Sequence, residues 1–167
     1  MSLALEARNG APDDTTVREE YLQCLRMIER LHRLLLDVIK DEFDRKGGEE
    51  LNSVQALLLY NMGDEELTAG ELKSRGHYLG SNVSYNLKKL VEMGYLHYKR
   101  SDTDRRSVRV RLTQKGIDAR EVINRLYQRQ LKTVEAIGQM PADDLKHLNK
   151  GLTRLERFWA DQIRYRL

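Results

Sequence analysis

The chain has 167 residues, enough for about one domain with a real core, and a third of them are charged while 7% are aromatic and only two are proline. No stretch approaches the ~18 consecutive apolar residues of a membrane span, and the single cysteine, Cys24, excludes an intrachain disulfide framework and suits a reducing compartment. The net charge of +3 is small, but its distribution is not even.

Residues 1–16, MSLALEARNGAPDDTT, contain only the short apolar run Leu3-Ala4-Leu5 and no basic n-region. They are expected to form a disordered tail, not a secretory signal, on a soluble, cytoplasmic protein. From Val17 to Phe43 the apolar positions Val17, Tyr21, Leu25, Ile28, Leu31, Leu35, Val38 and Ile39 recur at steps of three and four without proline. That spacing predicts a long amphipathic helix, and Leu22, Leu34 and Leu36 widen its apolar surface toward more than one neighbour. Gly47-Gly48 ends it. A second helix is expected behind a cap at Asn52 or Ser53, running through Val54–Tyr60 to a stop at Gly63.

Thr68-Ala69-Gly70-Glu71 has the spacing of a capping box, in which the hydroxyl and the carboxylate each satisfy an orphan backbone N–H. A short helix follows to about Arg75, then a turn over His77–Gly80. A second helix runs from a cap at Ser81 to Met93, with Val83, Leu87 and Leu90 as its apolar stripe and Gly94 as its stop. Two short helices joined by a tight turn, the second of them basic, make a helix-turn-helix candidate. The period then changes to two: Leu96 and Tyr98 alternate with His97 and Lys99, and Val108, Val110 and Leu112 alternate with Arg109 and Arg111. These are two strands of a hairpin around the polar turn Ser101–Arg106.

Thr113 is placed to cap a helix from about Gln114 to Ile137, with Ile117, Val122, Ile123, Leu126, Leu131, Val134 and Ile137 expected inside. Pro141 is expected at the first position of a final helix, with Asp143 and Asp144 on its positive end. Leu145, Leu148, Leu152, Leu155, Trp159 and Ile163 then nearly sustain a coiled-coil seam. The fold class is therefore mainly α with a small β-hairpin wing.

Charge supports a polyanionic partner. From Glu71 to Gly116 there are eleven basic residues against four acidic ones, a surplus of seven in a chain whose total is +3, so the remainder carries −4. A basic block in an otherwise acidic chain is an electrostatic footprint for nucleic acid, although a solvated, locally biased surface produces the same count. Enzyme readings find no support: there is no glycine-rich phosphate loop, no H-E-x-x-H and no histidine pair at ligand spacing, and no catalytic residue, metal or cofactor is expected.

The Glu71-Leu72 pair, Val83 with Leu90 and Gly94, the wing Asp102-Thr103-Asp104-Arg105-Arg106 and the run Leu112-Thr113-Gln114-Lys115-Gly116 resemble the MarR family of winged helix-turn-helix transcriptional regulators, over nearly the whole chain from Glu19 onward. The resemblance implies a homodimer held by the first and the last two helices, binding a pseudo-palindromic operator in double-stranded DNA and often released by a small ligand. It divides the chain into the tail (1–16), an N-terminal dimerisation helix (17–50), a winged helix-turn-helix DNA-binding lobe (51–116) and C-terminal dimerisation helices (117–167). Lys73, Gly76 and Tyr85 depart from the family pattern, where alanine, leucine and a basic residue are usual, so no operator sequence carries over.

With Val83 inward and 100° per residue, Ser81, Tyr85, Lys88, Lys89 and Glu92 face outward and Asn82 and Ser84 lie at the flanks. Ser81, Asn82, Ser84 and Tyr85 are the expected base-edge contacts: Asn reads adenine, Ser is permissive and a tyrosine ring packs on a thymine methyl. Lys88 and Lys89 are expected on phosphates. Arg105 is the candidate for the minor groove, oriented by Asp104, with Arg106 paired to Asp102 or a phosphate. Lys99, Arg109 and Arg111 are either strand-face solubilisers or phosphate contacts.

A small apolar or aromatic effector is expected where the first helix, the second helix and the DNA-binding lobe meet, with His32, Leu36, Tyr60 and Tyr78 as candidate lining residues that core packing explains equally well. Cys24 reads as a small hydrophobe, or, by the resemblance, as a peroxide sensor near Tyr21 and Tyr60. The alternatives to a ligand-responsive regulator are a DNA-binding protein without an effector, a redox-sensing regulator, and a winged-helix module that binds protein instead of DNA.

Overall fold

The computed structural model describes residues 14–47, 50–76, 80–100 and 108–165. In chain order these form α1 (Asp14–Asp44), α2 (Ser53–Met62), β1 (Leu67–Thr68), α3 (Ala69–Gly76), α4 (Gly80–Glu92), β2 (Leu96–Arg100), β3 (Val108–Leu112), α5 (Gln114–Leu131) and α6 (Ala142–Tyr165). They separate into two compact units, residues 1–58 and 59–167.

In the first unit α1 starts at Asp14, so Thr15 and Thr16 are helical and not part of a tail; residues 1–13 lie outside the described part. Only the C-terminal end of α1 is deeply packed, with Ile39 and Phe43 buried, while Val17, Tyr21, Leu22, Leu31, Leu34, Leu35 and Val38 remain exposed. Buried Glu42 is matched by Lys46 one turn on, at 3.3 Å. Gly47 closes the helix with φ +71°, a left-handed conformation that glycine adopts without steric cost. Of the two expected caps for α2, Asn52 serves: its Oδ1 accepts from the Gln55 N–H at 2.9 Å, and Gln55 Oε1 accepts from the Asn52 N–H at 3.2 Å. Ser53 instead donates its hydroxyl to the Leu36 carbonyl at 2.7 Å and ties the start of α2 to α1.

The second unit is built around a sheet. The sequence predicted a two-stranded hairpin; the sheet has three strands, in the order β1-β3-β2, all antiparallel. β1 is two residues long, too short for a period of two to register, and it pairs Leu67 with Val110 and Thr68 with Arg109. Leu67, Leu96 and Val110 are buried on one face. The capping box forms as the spacing predicts: the Thr68 N–H donates to Glu71 Oε2 at 2.6 Å and the Glu71 N–H donates to Thr68 Oγ1 at 3.1 Å.

Leu72 of α3 and Val83, Leu87 and Leu90 of α4 are buried, so the apolar stripe read from the sequence is the packed one. Helix α5 ends at Leu131, six residues short of the expected Ile137. Thr133 turns its hydroxyl onto the Gln130 carbonyl at 3.2 Å, the 132–138 segment continues as turns, and Gln139 adopts φ +52°. Leu131 and Ile137, expected inside, are exposed, whereas Ile123 and Leu126 are buried. Pro141 precedes α6 by one position, its carbonyl accepting from the Leu145 N–H at 3.1 Å.

Candidate nucleic-acid interface

The buried stripe of α4 decides which of its side chains meet solvent. Asn82, Ser84, Tyr85 and Lys88 are exposed, Tyr85 by 62%, over the packed Val83, Leu87 and Leu90. Ser81 lies in the first turn, but its side chain is outside the described part. Asn86, which the sequence reading did not single out, donates Nδ2 to the Asn82 carbonyl at 2.9 Å and fixes the flank of that face.

Lys88 and Lys89 are less free than the sequence suggested. Lys89 Nζ donates to Glu92 Oε2 at 3.1 Å, and Lys88 Nζ lies 3.9 Å from Glu92 Oε1. The hydrogen bond and then the charge of Glu92 hold the Lys89 ammonium above its ordinary pKa. One carboxylate thus stands between two lysines at the C-terminal end of α4. Both pairs are exposed, where ion pairing is weak and DNA phosphates compete effectively.

The sheet presents two contrasting faces. Toward α4, a groove of about 400 Å³ runs over Leu87, Val91, Tyr98 and Val110, with Lys88 and Glu92 at its rim. On the opposite face His97 pairs with Arg111 and Lys99 with Arg109, and all four are exposed. The wing residues Asp104, Arg105 and Arg106 lie outside the described residues, as does Asp102.

What holds the helix and the strands in a fixed relation is the run Leu112–Gly116. Thr113 Oγ1 donates to the Gly94 carbonyl at 2.7 Å and accepts from the Gly116 N–H at 3.1 Å, capping α5. The Thr113 N–H donates to the Tyr95 carbonyl at 3.0 Å. Lys115 Nζ donates to the Met93 carbonyl at 3.0 Å and sits 4.3 Å from the Tyr95 ring centroid. The turn that leaves α4 is therefore anchored to the residue that leaves β3.

The expected effector residues are distributed as follows. His32 is exposed and Leu36 half-buried on α1; Tyr78 lies outside the described residues. Tyr60 on α2 stands edge-on to Tyr127 of α5, with centroids 5.1 Å apart and planes at 85°, a contact that no local spacing could reveal. Cys24 is half-buried and Tyr21 exposed, both on α1. Among the described residues no group of three or more His, Cys, Asp or Glu side chains is placed to hold a metal, and no helix is long and apolar enough to cross a membrane.

A helix-turn-helix whose second helix shows a polar face, followed by a strand pair returning beside it, defines a winged-helix protein. Residues 51–116 match the family model of the winged helix DNA-binding domain. The chain is 36% identical over 167 residues to the exopolysaccharide II synthesis transcriptional activator ExpG of Rhizobium meliloti, an alignment that spans 99% of this chain and 82% of ExpG. Two solved structures share the fold. Streptococcus pneumoniae FabT in complex with DNA matches at a TM-score of 0.64 and 22% identity, covering 84% of this chain and 98% of FabT. A mutant MarR from Escherichia coli complexed with operator DNA matches at 0.66 and 20% identity, covering 81% and 95%. The chain belongs to the family of ExpG, DNA-binding transcriptional regulators with a winged helix domain, and it has the fold of MarR.

Proposed function

We propose that the protein acts as a homodimer on a pseudo-palindromic operator, with α4 of each copy in a major groove. Asn82, Ser84 and Tyr85, joined by Ser81, reach base edges, and Lys88 and Lys89 hold phosphates. Asp104, Arg105 and Arg106 set the wing against the neighbouring minor groove. The observation that carries this reading is the exposed Asn82-Ser84-Tyr85-Lys88 face over a packed Val83-Leu87-Leu90 stripe. Those side chains have the donors, acceptors and ring surface that major-groove edges and phosphates require.

The dimer reading rests on α6. It is 24 residues long and strongly amphipathic in sequence, yet none of its residues is buried; Leu148, Leu152, Phe158 and Ile163 are exposed. A helix of that kind is stable in water only when its apolar side is covered. A second copy of the chain covers it with two-fold symmetry, which is also the symmetry of a palindrome. In this reading residues 17–50 and 117–167 are the dimerisation parts and residues 51–116 the DNA-binding lobe. Family kinship supports modulation by a small apolar or aromatic effector, and the name of the R. meliloti relative supports activation as the direction of control.

Selection of bound duplexes from a random pool tests the proposal. The expected result is an inverted repeat whose half-site centres lie about 34–36 Å apart, one helical turn. An asymmetric motif, or none, contradicts it.

A further inference from the structure

Helix α5 carries a stripe of side chains that ties the winged helix to it at three separate places. Thr113 at the cap, Arg120 and Tyr127 stand seven residues apart. Seven residues of α-helix advance about 10.5 Å and return to within about 20° of the same direction. Each of the three meets a different part of the chain. Thr113 Oγ1 donates to the Gly94 carbonyl, where the chain leaves α4. Arg120 Nη1 donates to Asp64 Oδ1 at 2.5 Å, in the connection that leads from α2 to β1. Tyr127 stands edge-on to Tyr60, near the end of α2.

The middle tie differs from the other two. The Asp64 side chain is 88% exposed and that of Arg120 only 20%, so Asp64 is held to α5 by the guanidinium and not by burial. Around Arg120 the helix buries Gly116, Ala119, Ile123 and Leu126, small or apolar surfaces whose attraction has no direction. A charge-assisted hydrogen bond is directional and joins one pair of atoms. The apolar stripe holds α5 in place; the ion pair marks where along it the α2–β1 connection rests. Asp64 directly follows Gly63, whose φ of +66° ends α2, and the Thr68–Glu71 cap of α3 follows within a few residues. The entry to α3–α4 is thus tied to α5 at Arg120 and its exit at Thr113.

In the reading above residues 117–167 belong to the part that joins two copies, so α5 is where each winged helix meets the dimer. Such a dimer reads two half-sites at one separation. One base pair added between them moves a half-site by about 3.4 Å and turns it by roughly 34–36°. A helix pair tied at both ends does not follow that displacement freely. We propose that Arg120, through Asp64, is a positioning residue for operator spacing: it fixes the place of α3–α4 on α5 and so restricts the half-site separations that the dimer accepts. The inference rests on the homodimer reading and extends it to a side chain that reads no base. Because exposed ion pairs add little stability, the effect is on where the reading helices rest and not on whether the chain folds.

The test uses the full-length protein and duplexes carrying the selected motif, with the segment between half-sites at its selected length or one or two base pairs shorter or longer. The readout is discrimination, the ratio of affinity at the selected length to affinity at each altered length. Asp64→Ala is the main variant, because that side chain is exposed and its loss leaves the packing of α5 in place. It is expected to melt near the wild type and to bind a duplex with a single half-site as the wild type does. Its discrimination is expected to fall about threefold to tenfold, from a pair worth up to about fivefold in each of two copies. Arg120→Gln is expected to do the same, and the double variant no more than either single one, since both remove one interaction. If Arg120→Gln is poorly folded, Asp64→Ala alone decides. Unchanged discrimination in Asp64→Ala overturns the proposal, as does an equal loss of affinity at every length. Losses that add in the double variant overturn it as well. A wild type that binds every length equally refutes the homodimer reading itself, a separate outcome with which the inference falls.

Discussion

The hydroxyl of Thr113 donates to the carbonyl oxygen of Gly94 at 2.7 Å, although 19 residues separate them. Gly94 lies in the turn that closes α4 and Thr113 directly follows β3, so this bond ties the end of the helix to the end of the strand pair, the two parts proposed to reach DNA together. The same oxygen caps α5 through the Gly116 N–H. Thr113→Ala is expected to cost about 1–2 kcal/mol, the usual loss for an N-cap plus an orphaned partner. Thr113→Ser, which keeps the oxygen, is expected to recover most of it. Chemical denaturation with unchanged slope checks both, and a negligible cost for alanine would remove Thr113 from this role.

Gly116 must stay a glycine for a different reason. A Cβ there would fall well inside van der Waals contact with the Tyr95 carbonyl oxygen and against Leu112. The obstacle is backbone, which cannot swing aside like the end of a flexible side chain. Gly116→Ala is expected to destabilise by about 1–3 kcal/mol despite alanine's better helix propensity. A thermal melt equal to or above wild type would contradict the close approach.

Glu92 restrains both lysines of the α4 terminus. Glu92→Gln is expected to tighten DNA binding several-fold and to steepen the salt slope by about one to two, as Lys88 and Lys89 turn to phosphates. The Lys89 pKa, held up by Glu92, is expected to fall toward its ordinary value of 10.5. A raised lysine pKa stabilises the fold fully below the unfolded value and loses that contribution as pH rises through the folded one. Wild type and Glu92→Gln should therefore differ in stability at neutral pH, and the difference should fade as pH rises through the raised lysine pKa. Convergence between pH 5 and 8 would show that the Lys89–Glu92 pair is not the cause.

Leu152 and Phe158 lie on the uncovered side of α6. Replacing both with aspartate is expected to shift the protein from dimer to monomer in sedimentation and to abolish binding to a palindromic duplex. Because neither side chain is buried in one chain, the monomer should retain the winged-helix lobe, which circular dichroism and Tyr fluorescence can follow. A variant that stays dimeric contradicts the α6 interface.

Much of this arrangement can be read from local pattern. The three- and four-residue spacing of Val83, Leu87 and Leu90 predicts the packed side of α4, and Thr68 with Glu71 predicts a cap that forms as written. Gly63 and Gly94 mark stops and adopt positive φ where they do so. What escaped prediction depends on partners distant in sequence. β1 exists because Leu67 finds Val110, and two residues carry no period of their own. Leu131 and Ile137 look like core to a periodic count, yet α5 stops at Leu131 and both side chains are exposed. The Tyr60–Tyr127 contact likewise depends on which elements meet, whereas the coupling of Lys88 and Lys89 to Glu92 lies within one helix turn and is legible in the spacing. The exposed cations of the outer sheet face follow from strand alternation, but their opposition in register follows only from the pairing.

Tyr85 tests the central claim most directly, being 62% exposed on the face assigned to base edges and standing where the MarR resemblance leads one to expect a basic residue. Site selection from a random pool, run in parallel with the wild type and Tyr85→Ala, reads its role. The expected outcome is an inverted repeat for both proteins, with base preference relaxed in the variant at one symmetry-related position in each half-site. Affinity for the wild-type motif should fall by about 1–3 kcal/mol with an unchanged salt slope, as for a lost base contact. An identical motif from both proteins, or a change confined to one half-site, would contradict a symmetric dimer that reads DNA through the exposed face of α4.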